Sequence, residues 1–131
     1  VKGRRHVVGV VDDDASVRGA LFRLFRNAGL EVTLFAAAEE YLANPDRASV
    51  DYLVIDVRLP GMGGLELLER VQAESPRPAL VITAHEDDRA RTRALAAGAA
   101  GFFLKPFDNR QLVAAVTHAL GASGADECQD S

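Results

Sequence analysis

Val7-Val8-Gly9-Val10-Val11-Asp12-Asp13-Asp14 decides the fold. A short run of β-branched residues with no polar alternation is the pattern of a strand buried on both faces of a parallel sheet. Three acids then end it abruptly. Apolar residues follow at Val17, Leu21, Leu24, Phe25 and Ala28, the i, i+4, i+7 spacing of an amphipathic helix. Asp14 or Ser16 can cap its start, and Asn27-Ala28-Gly29 ends it. Strand followed by helix is the unit, and it recurs along the chain.

Outward from there, Glu31–Phe35 reads as a second strand, and Ala38, Tyr41 and Leu42 mark a short helix stopped before Pro45. Tyr52-Leu53-Val54-Ile55 is a third strand, and Gly64–Glu74 a helix with Leu65, Leu68 and Val71 on one face. Ala79-Leu80-Val81-Ile82 is a fourth strand, Asp87–Ala97 an alanine-rich helix, and Phe102-Phe103-Leu104 a short fifth strand. Asp108 caps a last helix with Leu112, Val113, Val116 and Leu120 inward. Strict alternation predicts an α/β fold, a (βα)5 doubly wound five-stranded parallel sheet with right-handed crossovers. Residues 1–121 form the domain, and residues 122–131 are small and polar, expected as a disordered tail or the start of a linker.

Composition narrows the function. The chain has 131 residues, 48% hydrophobic and 26% charged, with a formal charge of −4. A mildly acidic domain with no basic stripe is a poor nucleic-acid binder, and no tryptophan is present to stack bases. The one cysteine, Cys128, has no partner for an internal disulfide, which fits a reducing cytoplasmic setting. No run reaches the ~18 apolar residues of a membrane span. The chain starts at Val1 rather than methionine, as a piece of a longer protein would.

In open α/β sheets, ligands bind beyond the carboxyl ends of the strands at the point where strand order switches. Strand one ends in Asp12-Asp13-Asp14, strand three in Asp56, strand four in Thr83-Ala84 and strand five in Lys105-Pro106; strand two ends in apolar Phe35-Ala36-Ala37. The order 2-1-3-4-5 puts strand two at an edge and the switch point between Asp12/Asp13 and Asp56. Converging carboxylates repel one another. Either Lys105 or a hard divalent cation such as Mg²⁺, which prefers oxygen ligands, can offset them. Capping accounts for Asp14 about as well as a site does, but not for two acids ending a buried strand.

These residues resemble the receiver domain of bacterial response regulators, which implies a flavodoxin-like, CheY-like fold. The resemblance covers about residues 6–120 and rests on four motifs in order: Val10-Val11-Asp12-Asp13, the segment from Asp56 through Arg58-Leu59-Pro60-Gly61 to Gly64, Ile82-Thr83-Ala84, and Lys105-Pro106-Phe107. It implies that Asp56 is the phosphoacceptor. It implies direct Mg²⁺ ligation by Asp13, Asp56 and the Arg58 backbone carbonyl, with Asp12 alongside or through water. Thr83, Ala84 and Lys105 would hold phosphoryl oxygens, and the bond before Pro106 would be cis. Arg58 and His85 would sit on the rim and set phosphate lifetime. Thr83 and Phe102 would relay the switch to a surface of the alanine-rich helix, strand five and the last helix, which also carries Arg89, Arg93 and Leu95. His6 and His118 read as surface positions.

The implied partners are a histidine kinase or histidine phosphotransfer protein. The resemblance leaves room for a C-terminal output domain beyond residue 131 and for a homodimer on phosphorylation, with no nucleic acid or membrane contact by this domain. Phe102 keeps a switching aromatic but lacks a hydroxyl. Ala99-Ala100-Gly101 lacks the acids of the OmpR-type dimer face, and the segments around Asp14 and Glu39 look closer to FixJ-like regulators. Two other functions are weighed. A haloacid-dehalogenase-like phosphatase wants a second acid two residues after its nucleophile, where this chain has Arg58. A phosphorylation-independent pseudo-receiver loses acids that this chain keeps.

Overall fold

The hydrophobic runs become strands and the 3.6-residue patterns become helices, in the expected order. The computed structural model describes residues 5–129, with side chains described to residue 121; of the stretch expected as a tail, 122–129 continue the last helix and 130–131 lie outside the described residues. The elements are β1 (Val7–Val11), α1 (Ala15–Asn27), β2 (Glu31–Phe35), α2 (Ala38–Ala43), a 3-10 turn (Arg47–Ser49), β3 (Tyr52–Asp56), α3 (Gly64–Glu74), β4 (Ala79–Thr83), α4 (Asp88–Ala96), β5 (Gly101–Leu104) and α5 (Asn109–Gln129). The strands form one parallel sheet in the order β2-β1-β3-β4-β5.

The central strands β3 and β4 are buried along their whole length, which is why their sequences carry almost no polar residue before the last position. Side chains alternate between the two faces of the sheet. Val8, Val10, Tyr52, Val54, Leu80 and Ile82 pack with Leu21 and Phe25 of α1 and Leu112 and Val116 of α5. Val11, Leu53, Ile55 and Val81 face the other way, onto Tyr41 of α2, Leu67, Leu68 and Val71 of α3, and Ala90 and Ala94 of α4. Two helices therefore cover one face and three the other.

The helix starts obey the capping rule. Asp14 accepts the N–H groups of Ser16 and Val17, Asp87 those of Arg89 and Ala90, and Asp108 those of Arg110 and Gln111. Asp87 is thus the cap of α4, not its first residue. Two strands run one residue further than the apolar pattern predicts, to Asp56 and Thr83, because the register continues: Asp56 pairs with Ile82, and Thr83 with Leu104. This extra residue seats the polar side chains at the sheet's edge.

His6 departs from its expected surface position. It is half-buried, with Nδ1 3.8 Å from Asp51 Oδ2, and that nitrogen has no hydrogen-bond partner among the described residues. The Asp51 carboxylate is drawn in by the first N–H of the sheet, that of Val7, at 2.8 Å.

Candidate functional site

The carboxyl ends of β1, β3, β4 and β5 bring together Asp12, Asp13, Asp56, Thr83 and Lys105. Asp12 is fully buried, Asp56 is 6% exposed and Thr83 1% exposed, while Asp13 is open to solvent. Parallel pairing places them. The Asp12 N–H donates to the Phe35 carbonyl at 3.0 Å, and the Lys105 N–H to the Thr83 carbonyl at 2.7 Å.

Buried carboxylates need partners, and these have them. Asp12 Oδ1 accepts the Asp14 N–H at 2.9 Å. Lys105 Nζ donates to Asp12 Oδ2 at 3.0 Å and to Asp56 Oδ2 at 3.4 Å. Asp56 Oδ1 accepts the Arg58 N–H at 3.3 Å. The peptide between Lys105 and Pro106 is cis, as the resemblance implies.

The charges perturb one another. Burial and the Asp12 charge push the Asp56 carboxyl up to about 6, against the downward pull of Lys105 and the Arg58 N–H. Burial draws the Lys105 ammonium down, but the hydrogen bond and charge of Asp12, then those of Asp56, outweigh it and hold it above its ordinary value. At neutral pH Asp56 is therefore mostly an anion, raised in energy by its neighbour. Such a carboxylate gains from any added positive charge.

The oxygens of Asp12, Asp13 and Asp56 lie within 4.8 Å of one another. This all-oxygen set, with one open carboxylate, fits a hard cation that keeps several waters. A nitrogen- or sulfur-seeking metal would find no matching ligand in it.

Gly64 fixes the geometry of this corner. A Cβ built there would lie 1.9 Å from the Asp56 carbonyl oxygen, so only glycine lets α3 start directly beneath the strand that carries Asp56. Arg58, Ala84, His85 and Pro106 lie exposed on the surrounding loops. Thr83 Oγ1 accepts the His85 N–H at 3.2 Å, so the threonine hydroxyl and the rim loop are linked.

Of Arg89, Arg93 and Leu95, expected on one surface with Phe102, Arg93 turns to the neighbouring helix instead. Arg93 makes a paired hydrogen bond to Glu69 of α3, at 2.7 Å for both contacts, on the flank away from β5. It is Arg91 that lies over the Phe102 ring, 4.7 Å from its centroid. Successive arginines at odd positions point to different sides of a helix, and an alanine-rich sequence gives little to fix the phase. Two further residues escaped the sequence reading. Arg18 Nη1 donates to the Asp12 carbonyl at 2.8 Å; a cation so near a helix start opposes the macrodipole, and that was the available signal. Glu39 Oε2 accepts the Met62 N–H at 2.8 Å, and its sequence gave no signal.

A sequence model of the response regulator receiver domain matches residues 8–117. The chain belongs to this family. It is 41% identical to the transcriptional regulatory protein FixJ of Bradyrhizobium diazoefficiens over 112 residues, 85% of this chain and 55% of FixJ. It is also 41% identical to the DNA-binding transcriptional regulator NtrC of Salmonella typhimurium, over 89% of this chain and 25% of NtrC. It thus spans a quarter to about half of these relatives. Among solved structures it resembles response regulator StyR, with 42% identity, TM-score 0.81, and coverage of 97% of this chain and 67% of that one. A CheY-like receiver domain from Methanospirillum hungatei gives 26% identity and TM-score 0.86 over 94% of this chain and 99% of that one. The FixJ-like resemblance is consistent with these relatives. The chain is a phosphorelay receiver, a signalling phosphoacceptor of the two-component type. No helix among the described residues is long and apolar enough to cross a membrane.

Proposed function

We propose that Asp56 accepts the phosphoryl group, from a phosphohistidine of a histidine kinase or phosphotransfer protein or from a small phosphodonor. The observation that carries this is the position of Asp56: a buried carboxylate at a strand end, facing two other acids and tied to Lys105. A carboxylate oxygen of Asp56 attacks phosphorus, the bond to the donor nitrogen or oxygen breaks, and an acyl phosphate forms. The leaving imidazole keeps the electron pair and takes a proton from solvent.

Phosphoryl transfer needs positioning and neutralisation of oxygen charge. Lys105 supplies an ammonium, and the Thr83 hydroxyl and the Ala84 N–H offer donors. Asp13, Asp56 and the Arg58 carbonyl would hold Mg²⁺, with Asp12 beside them; the cation supplies further charge neutralisation. Arg58 and His85 flank the acyl phosphate and control the access of the attacking water, by shielding the phosphate or by orienting the water. Residues 1–121 are the receiver domain, with 122–131 leading toward an output domain, as the longer relatives suggest. The site of action is the cytoplasm. The surface of α4, β5 and α5, with Phe102 in it, carries output or dimerisation.

Intact-mass spectra after acetyl phosphate and MgCl₂ test the assignment. The parent should gain about 80 Da, the mass of a phosphoryl group, and Asp56→Asn should gain none; equal labelling of both would reject Asp56. Asp13→Ala should lower Mg²⁺ affinity by at least about tenfold, read by NMR titration, since without tryptophan there is no indole fluorescence to quench. Arg58→Ala and His85→Ala should change the half-life of the phosphorylated protein more than its rate of formation; an unchanged half-life in the double variant would remove both from the rim.

A further inference from the structure

The segment 57–63 leaves the pocket at Asp56 and returns at Gly64. Its near end is tied by the main chain: Val57 N–H to the Ile82 carbonyl at 2.9 Å and Gly64 N–H to the Val57 carbonyl at 3.0 Å. Its far end passes over the start of α2, where the Met62 N–H meets Glu39 Oε2 at 2.8 Å, 23 residues back along the chain. Gly61, at φ +73, comes so close to this carboxylate that a Cβ there would lie 2.5 Å from Oε2.

Glu39 is not occupied in capping its helix. Its neighbour Glu40 turns back to the chain ahead of the helix, accepting the Ala36 N–H at 2.8 Å, and no side chain caps α2. The Met62 N–H, with the residue's own N–H, holds the Glu39 carboxyl below the usual carboxylate range, as a bond to an ionised acceptor should. Nor is Glu39 needed to keep the segment attached, because Leu59 and Met62 already pack against the cluster containing Ala38 and Tyr41. What the carboxylate adds is a direction for the peptide between Gly61 and Met62, in a stretch whose glycines leave the backbone permissive.

We infer that Glu39 is a positioning residue for the pocket: by holding the Met62 N–H it fixes the loop from which the Arg58 carbonyl is offered to a divalent cation. The inference rests on reading the Asp56 pocket as a Mg²⁺-assisted phosphoacceptor. A residue that orients a ligand through the backbone controls affinity without touching the ion.

The test is an NMR titration with MgCl₂ of the parent, Glu39→Ala and Glu39→Gln. Glu39→Ala should bind Mg²⁺ about 3- to 10-fold more weakly, with faster exchange of the Met62 amide and little change in denaturation midpoint. Glu39→Gln, which loses the charge but keeps an acceptor oxygen at the same reach, should recover most of the affinity. At saturating MgCl₂, the phosphorylation rate of Glu39→Ala should return to within about twofold of the parent, separating metal capture from transfer. Parental Mg²⁺ affinity in Glu39→Ala, or Gln behaving as poorly as Ala, overturns the inference while leaving the phosphoacceptor reading intact. A parent that neither responds to Mg²⁺ nor gains phosphoryl mass overturns the pocket reading and this inference with it.

Discussion

At pH 7 and without divalent cation, Asp56→Asn is expected to be more stable than the parent, by on the order of 2–3 kcal/mol. Asp56 is 6% exposed, and burial and Asp12 push its folded-state carboxyl up to about 6. The unfolded chain has an ordinary aspartate near ~3.9. An acid raised on folding costs nothing while it is protonated in both states. The cost grows as pH rises through the interval between the two values and is complete above the upper one. The amide carries no charge, so its advantage should be full at neutral pH, shrink below about pH 6 and vanish near pH 4. Urea denaturation of both proteins across this range checks it, and a gap independent of pH would show that charge is not its source. A site that stabilises the fold when its acid is deleted is arranged for a ligand rather than for the fold.

The second large effect lies at Gly64. Gly64→Ala is expected to cost about 3–5 kcal/mol, against the ~5–15 kcal/mol that holds a domain of this kind together. The added methyl would meet the Asp56 carbonyl oxygen at 1.9 Å, the Asp56 carbonyl carbon at 2.8 Å and Ile55 Cγ2 at 2.9 Å. The first two are main-chain atoms of a central strand, so no rotamer change relieves the clash. Either α3 or the end of β3 must move, and the second choice displaces the Asp56 carboxylate. Chemical denaturation reads the loss. Gly63→Ala is the control, because its nearest neighbour to a built Cβ is 3.8 Å away and its cost should be far smaller.

The fold was legible because each strand announces both its burial and its end. Val7–Val11 and Ala79–Thr83 are apolar until their last contact with the sheet, and the residues that follow them, or in β3 and β4 the final residue itself, are the polar groups of the pocket. Asp14, Asp87 and Asp108 announce their helices in the same local way. What was not legible lies between elements. Arg91 and Arg93 are two residues apart in one helix, yet one lies over Phe102 and the other grips Glu69. Nothing in an alternation of arginine and alanine tells which is which. Glu39 and Glu40 pose the same problem in α2: Glu40 folds back onto the Ala36 N–H four residues earlier, and Glu39 reaches a loop. Local sequence reports the first kind of bond and is silent on the second. His6 was misplaced for a related reason, since its environment is made by Asp51.

Helix α4 rests on the molecule through methyl groups. Ala90 and Ala94 are its buried residues, and its one large apolar side chain, Leu95, is 51% exposed. Helices lock in place when long side chains drop into grooves on their neighbours, and alanine offers nothing long enough to catch. Sliding α4 by a fraction of a turn therefore breaks few contacts. Its resting place is set instead by the exposed clasp of Arg93 on Glu69 and the half-buried stack of Arg91 on Phe102. Exposed charges are weakened by dissolved salt, whereas the enclosed ones of the pocket are weakened far less. Helix α4 is thus a slide with an ionic detent: raising ionic strength should loosen its seat while the enclosed charges of Asp12, Asp56 and Lys105 stay as they are.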